Sequence, residues 1–302
     1  MKAKEQAAAN PGEKTLKSSI NATTRRAIRD RLGIEPPREF MKLLAVACKY
    51  SNRPANVPTS LYAVLGHYLA GPWLTPLGVR GETFSATTYC NWPPELVPIL
   101  SLGCDGQHAG FVVSTPELRA KDYPLASFCP MDSDGAIYEG ADFASGLARL
   151  IAQNLHFASE YRGLSPADQP MLDDLIRSLA LKLPGPKTMF AVRWSRVVPP
   201  GYSYLPTPDR LGVIAPAETI RPLRIPLSPN KLTADLAIEY AKRVVARGLF
   251  GSALCVLKHA YWHHGAGADG VRLALAMARS YEQLNRPMFA AIVRAQARSW
   301  RK

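Results

Sequence analysis

The chain of 302 residues carries 37 Lys and Arg against 24 Asp and Glu, a formal net charge of +13, and 47% of its residues are hydrophobic. That apolar content supplies real cores and excludes a disordered chain, and the length accommodates two ordinary domains. No apolar run approaches the ~20 residues of a membrane-spanning helix, and the polar, lysine-dotted residues 1–17 are followed by no apolar stretch, so a cytosolic protein without a membrane contact is expected.

Residues 1–20, rich in Lys, Ala, Glu and Ser with little periodic hydrophobicity, have the composition of a basic disordered tail. A first helix is expected from the capping residues near Asn21 to Gly33. Pro36 and Pro37 separate it from a second, in which Phe40, Leu43, Leu44 and Ala47 recur at helical spacing; Leu61, Val64, Leu65, Tyr68 and Leu69 predict a third. From Gly71 the texture turns to short apolar runs between Gly, Pro and Thr, at 83–89, 97–100, 110–113 and 125–128, which is strand-and-turn sequence typical of an antiparallel sheet. A turn at Asp132, Ser133, Asp134 and Gly135 precedes a helix marked by Phe143, Leu147, Leu150, Ile151 and Leu155. Residues 21–160 therefore predict an α+β domain in which helices pack on an antiparallel sheet.

Residues 161–230 form a Pro-rich connector: 165–230 hold 12 of the 26 prolines, leaving room for one helix near Met171 to Leu183 and short edge strands. Residues 231–302 predict a small all-α module of helical hairpins with an internal period of 37. Ala241, Val244, Gly248, Ala253, Leu257 and Ala260 correspond to Ala278, Tyr281, Asn285, Ala290, Arg294 and Ala297. Paired helices need small residues where they cross and a Gly or Asn at the turn between them, which these positions supply.

This pattern resembles the tetratricopeptide repeat over about 70 residues. It departs at Arg294, where that family has a large apolar residue, and in its longer period, absorbed by the loop 263–269. Residues 25 to about 155 resemble the SUKH superfamily, the Smi/Knr-like domain of toxin-immunity and scaffold proteins. The resemblance is carried by Ile28 to Gly33 with Pro36, Pro37 and Phe40; by Pro93, Pro94, Glu95 and Pro98; by Gly103, Cys104, Asp105 and Gly106 with Gly110 and Phe111; and by 123–130 before Phe143. It implies a mixed α+β fold and a function by binding, without catalysis and without a cofactor.

The charge is uneven. Residues 1–49 carry 11 basic and 5 acidic side chains, 50–230 carry 14 and 15, and 231–302 carry 12 and 4. Within the middle, 84–160 hold nine carboxylates against Arg119, Lys121 and Arg149, a stretch that repels a phosphate backbone and suits a basic protein partner. The expected function is that of an immunity or adaptor protein that neutralises a basic bacterial toxin, with Asp105, Glu117, Asp122, Asp132, Asp134 and Glu139 presented to the partner and Trp92 and Tyr123 anchoring it.

Two alternatives stay open. Arg25, Arg26, Arg29 and Arg31 near one end, and Arg272, Arg279, Arg286, Arg294, Arg298 and Arg301 near the other, are positioned along helices where they meet phosphates in a nucleic-acid-associated protein. The other is an enzyme with a thiol or metal site, built from Cys104 or Cys90 with His108 and Asp105, or from Cys255, His259 and His263 at four-residue spacing. Against the latter, the five cysteines are widely spaced, the histidine stripe lacks a fourth ligand and reads as a solvent-facing strip, and no catalytic motif is present; no metal, catalytic residue or cofactor is expected.

Overall fold

The computed structural model describes residues 22–51, 53–71, 92–102, 106–130, 134–161, 163–190, 197–222, 231–265 and 267–299. The expected tail at 1–20, the expected strand at 83–89, and Cys90, Cys104, Asp105, Asp132 and Arg301 lie outside these residues.

Helix α1 (Ala22–Leu32) is followed by α2 (Arg38–Lys49), which buries Phe40, Leu43, Leu44 and Ala47 as their spacing predicts. The third expected helix is only the single turn α3 (Tyr62–Leu65), and Tyr68 and Leu69 belong instead to strand β1 (Tyr68–Leu69). Gly66 stops the helix: it holds φ 65°, and a side chain there would strike the carboxamide of Asn154, which donates to the carbonyls of Ala63 and Val64.

Strands β2 (Leu96–Ser101), β3 (His108–Val112), β4 (Leu125–Phe128) and β5 (Ile137–Gly140) join β1 in one antiparallel meander, ordered β1-β2-β3-β4-β5. Helix α4 (Phe143–Tyr161) and α2 cover one face, where Phe40 meets Phe111 and Phe143 edge-on at ring separations of 5.3 and 5.8 Å. Alternation along the strands sends Phe111 and Leu125 to that face, and Val112, Ala126 and Phe128 to the other. Gly140 and Gly146 let α4 lie directly against β5, since a Cβ on Gly140 would overlap the Gly146 backbone.

The Pro-rich segment is more than a linker. It holds α5 (Gln169–Leu179), whose Leu172, Leu175 and Leu179 are buried and which packs on α2, and a separate hairpin of β6 (Tyr202–Leu205) and β7 (Val213–Pro216).

The C-terminal region is all-helical: α6 (Ala234–Val245), α7 (Phe250–His264), α8 (Gly267–Gln283) and α9 (Pro287–Ser299), each packed on the next. The repeat positions fall where their chemistry requires. Gly248 and Asn285 both adopt positive φ, 75° and 58°, at the turns within each hairpin, and Ala241, Ala253, Ala260, Ala278, Ala290 and Ala297 are all buried. This module covers the second sheet face: Trp262 and Ile292 pack against a cluster of Trp92, Leu96, Val112, Phe128, Tyr138 and Leu211. Among the described residues no helix is long and apolar enough to cross a membrane.

Candidate functional site

The largest concentration of buried charge lies where the sheet, the β6–β7 hairpin and the helical module meet. Lys258, in the middle of α7, donates to Glu95 Oε2 at 2.9 Å and lies 2.8 Å from Asp209 Oδ2. Tyr281 of α8 donates to the other Glu95 oxygen at 2.6 Å. Asp209 Oδ1 accepts from Thr207 Oγ1 and from the Leu211 amide, so the turn before β7 presents its carboxylate in a fixed direction. Beside this group the guanidinium of Arg286 forks onto both oxygens of Glu117 at 2.8 and 3.1 Å and also donates to the Ile214 carbonyl. Gln296 of α9 donates to the Trp92 carbonyl at 2.9 Å.

Burial would neutralise these groups, yet the opposite charges prevail. Desolvation alone pushes the Lys258 ammonium down, but Asp209 and Glu95 hold its pKa above the ordinary lysine value. Burial likewise pushes Asp209 up, and Lys258 brings it below the usual carboxylate range. Tyr281 is driven well above its ordinary value by burial and by the Glu95 charge. The result is a charged latch whose ammonium keeps its proton and offers no lone pair for covalent chemistry.

The residues expected to meet a partner are therefore redistributed. Trp92 is 3% exposed and its indole donates to the Leu96 carbonyl. Tyr123 is equally interior, its phenol pushed up to about 12 by burial. Glu117 belongs to Arg286. Asp122 accepts from the amides of Tyr123 and Phe143 and so caps the start of α4. Glu139 is buried and accepts from Ser127, with Arg149 Nε 3.3 Å from its second oxygen; burial raises its pKa against both of those contacts. Of the expected contact residues described, Asp134 is the exposed one. The reason is simple: Glu95, Glu117 and Glu139 of the acidic stretch find basic partners within the chain, in Lys258, Arg286 and Arg149.

The other candidates are likewise engaged. Cys255 is buried, not part of a solvent-facing strip, and its thiol is pushed up to about 12 by burial, away from the thiolate that a nucleophile or metal ligand requires. His259 Nδ1 is 2.9 Å from the Cys255 carbonyl, and His263 is exposed. Among the described residues no three His, Cys, Asp or Glu side chains gather as a metal site. His108 Nδ1 lies 2.6 Å from the Gly106 carbonyl, with its ring against Trp92. At the N-terminal end Arg25 and Arg29 pair with Glu35, and Arg26 with Asp30.

The structure also leaves apolar rings open to solvent. Phe157 on α4 and Phe190 are 51% and 53% exposed, their rings 6.2 Å apart, and His156 closes the group at 5.9 Å from each. The segment bearing Phe190 is fastened to α4 by Gln153, which donates to the Met189 carbonyl, so the three rings are preorganised. Little in the sequence marks them: Phe157 falls past the last apolar residue of the α4 pattern, and Phe190 stands alone in a Pro-rich segment.

Compared with known protein families and with curated proteins, the chain has no match.

Proposed function

We propose that this chain is a non-enzymatic protein-binding protein, an immunity or adaptor protein of the kind that the SUKH resemblance implies, acting in the cytosol. The observation that carries the reading is the trio of exposed Phe157 and Phe190 with half-buried His156. Two half-exposed rings held in mutual contact by a backbone-anchored segment form an apolar anchor, and such anchors mark protein interfaces. The occupant proposed is a folded protein offering an apolar patch, because Phe157 on α4 and Phe190 on the turn segment beside it both stand half-exposed at the surface.

The interior supports the same direction. Glu95, Asp209, Lys258 and Tyr281 are committed to one another, as are Glu117 and Arg286, and the α+β scaffold is one on which the resemblance expects binding. A toxin steered by the acidic stretch 84–160 is a weaker form of this reading, since Glu95, Glu117, Asp122 and Glu139 are occupied inside the chain. The partner is expected to be held by apolar contact with modest dependence on salt.

The test is a pull-down from the native cell with the full chain as bait, beside a Phe157→Ser/Phe190→Ser variant and with nuclease added. One stoichiometric protein that resists nuclease and is missing with the variant is the expected result. Absence of any nuclease-resistant protein, or equal capture by the variant, would overturn the proposal; nuclease-sensitive material captured alongside would not.

A further inference from the structure

The structure divides the basic C-terminal region in two. Lys258 and Arg286 are buried against carboxylates, Arg272 pairs with Asp235 and Asp269, and Arg294 pairs with Glu282 at 2.5 Å. Lys242, Arg243, Arg247 and Arg279 are exposed and have no ion-pair partner among the described residues.

Their placement follows from the repeat. Helices α6 and α8 are the first members of successive hairpins; each is joined to α7 by a short turn, so they run in the same direction, and they pack on one another. Asp235 and Arg272, 37 positions apart, are directly paired across them. Seven residues further along each helix, two turns on and so on the same face, stand Lys242 and Arg279. One rung of this two-helix face thus joins opposite charges, while the equivalent positions two turns on carry two cations, with Glu282 near enough to Arg279 to feel its charge. Arg243, next to Lys242 on the adjoining face of α6, and Arg247, four residues on and just past its end, widen this cationic surface. The nearby carboxylate Glu282 is already held by Arg294, and Glu239 lies one turn before Lys242.

We propose that the Lys242–Arg279 rung, continued by Arg243 and Arg247, docks the phosphate backbone of duplex nucleic acid. Like charges placed together on a surface raise the local potential and attract an anion that bridges them. A duplex presents phosphates at regular spacing along one rigid edge, which suits a row of cations on a helix. Single strands fit less well, because the one ring among these residues, Tyr240, is half-buried and already has the Arg243 guanidinium over it at 5.8 Å, where single-strand sites use a row of open aromatic faces. The inference is independent of the apolar anchor at Phe157 and Phe190, which lies on α4 and the segment fastened to it.

The test is fluorescence anisotropy of a labelled DNA duplex with the full chain, from about 50 to 200 mM salt. Alongside run Lys242→Ala/Arg279→Ala, a control Lys182→Ala/Lys187→Ala that removes the same charge elsewhere, and an acidic peptide competitor. Circular dichroism confirms that each variant is folded. The chain is expected to bind the duplex with an affinity that falls steeply with salt. The rung variant should bind at least about tenfold more weakly at low salt, with the slope of log affinity against log salt smaller by roughly 2, since each lost phosphate contact removes about 0.9. The control should keep most of the affinity and its slope should change less. No binding at low salt, equal loss in the control, or capture of the acidic peptide in preference to the duplex would overturn the proposal.

Discussion

Lys258 Nζ stands 2.9 Å from Glu95 Oε2, across 163 positions of sequence. The contact joins the start of the sheet to the middle of the C-terminal helical module, and both side chains are almost entirely withdrawn from water. Asp209 completes the site from the Pro-rich segment, so three parts of the chain meet at one ammonium group. A buried cation between two carboxylates contributes little net stability compared with an apolar core, but it is costly to break and specifies how the parts must dock.

Replacing Lys258 by Met leaves Glu95 and Asp209 as uncompensated buried carboxylates. The expected loss is about 3–5 kcal/mol at neutral pH, read by urea unfolding. In a cycle with Glu95→Gln, the two changes should be non-additive by more than about 1 kcal/mol. Additive effects would show that the latch does not couple the helical module to the sheet.

A second expectation concerns acid. Burial lowers the pKa of His67 below its ordinary 6.5, partly offset by the Leu65 carbonyl on Nδ1, with the nearby His108 adding to the lowering. The buried Nε2 has no hydrogen-bond partner among the described residues. The folded chain therefore keeps this imidazole neutral while the unfolded chain takes up a proton near 6.5. The contribution of His67 is present above that pH and is lost as pH falls through the lowered folded value. Between about pH 7.5 and 5.5 the Tm of the native chain should fall more than that of His67→Gln; parallel curves would contradict this assignment.

The turn between α8 and α9 offers a third. Asn285 holds φ 58°, the left-handed region that Gly248 occupies in the preceding repeat. Asn285→Ala should cost about 1 kcal/mol and Asn285→Gly only a few tenths, measured by thermal or urea unfolding. Equal effects would mean that the backbone relaxes and the repeat does not impose its turn.

Much of the scaffold was legible from particular residues. Phe40, Leu43, Leu44 and Ala47 marked α2, the run 125–128 coincides with β4, and the period of 37 placed both turn residues and the alanines of the helical module. Strand β5 was not legible, because it is four residues long, carries the inward Glu139, and ends at Gly140, whose value lies in what it lets α4 approach. The fate of the acidic residues was hidden for a different reason. Their partners lie 163 and 169 positions away, at Lys258 and Arg286, and composition registers an excess of charge without saying what neutralises it. One signal was present: Lys258 interrupts an otherwise apolar stretch of α7, where a lone lysine needs a buried counter-charge.

The most direct measurement is the affinity of the purified captured partner, by isothermal titration, for the native chain, for Phe157→Ser/Phe190→Ser and for Asp134→Lys. We expect the double variant to bind more than about tenfold more weakly and the charge reversal to stay within about twofold, because the aromatic trio anchors the partner and a single exposed carboxylate contributes little to apolar docking. Undiminished binding by the double variant, with loss on reversing Asp134, would place the interface on the acidic side of the domain and contradict this expectation.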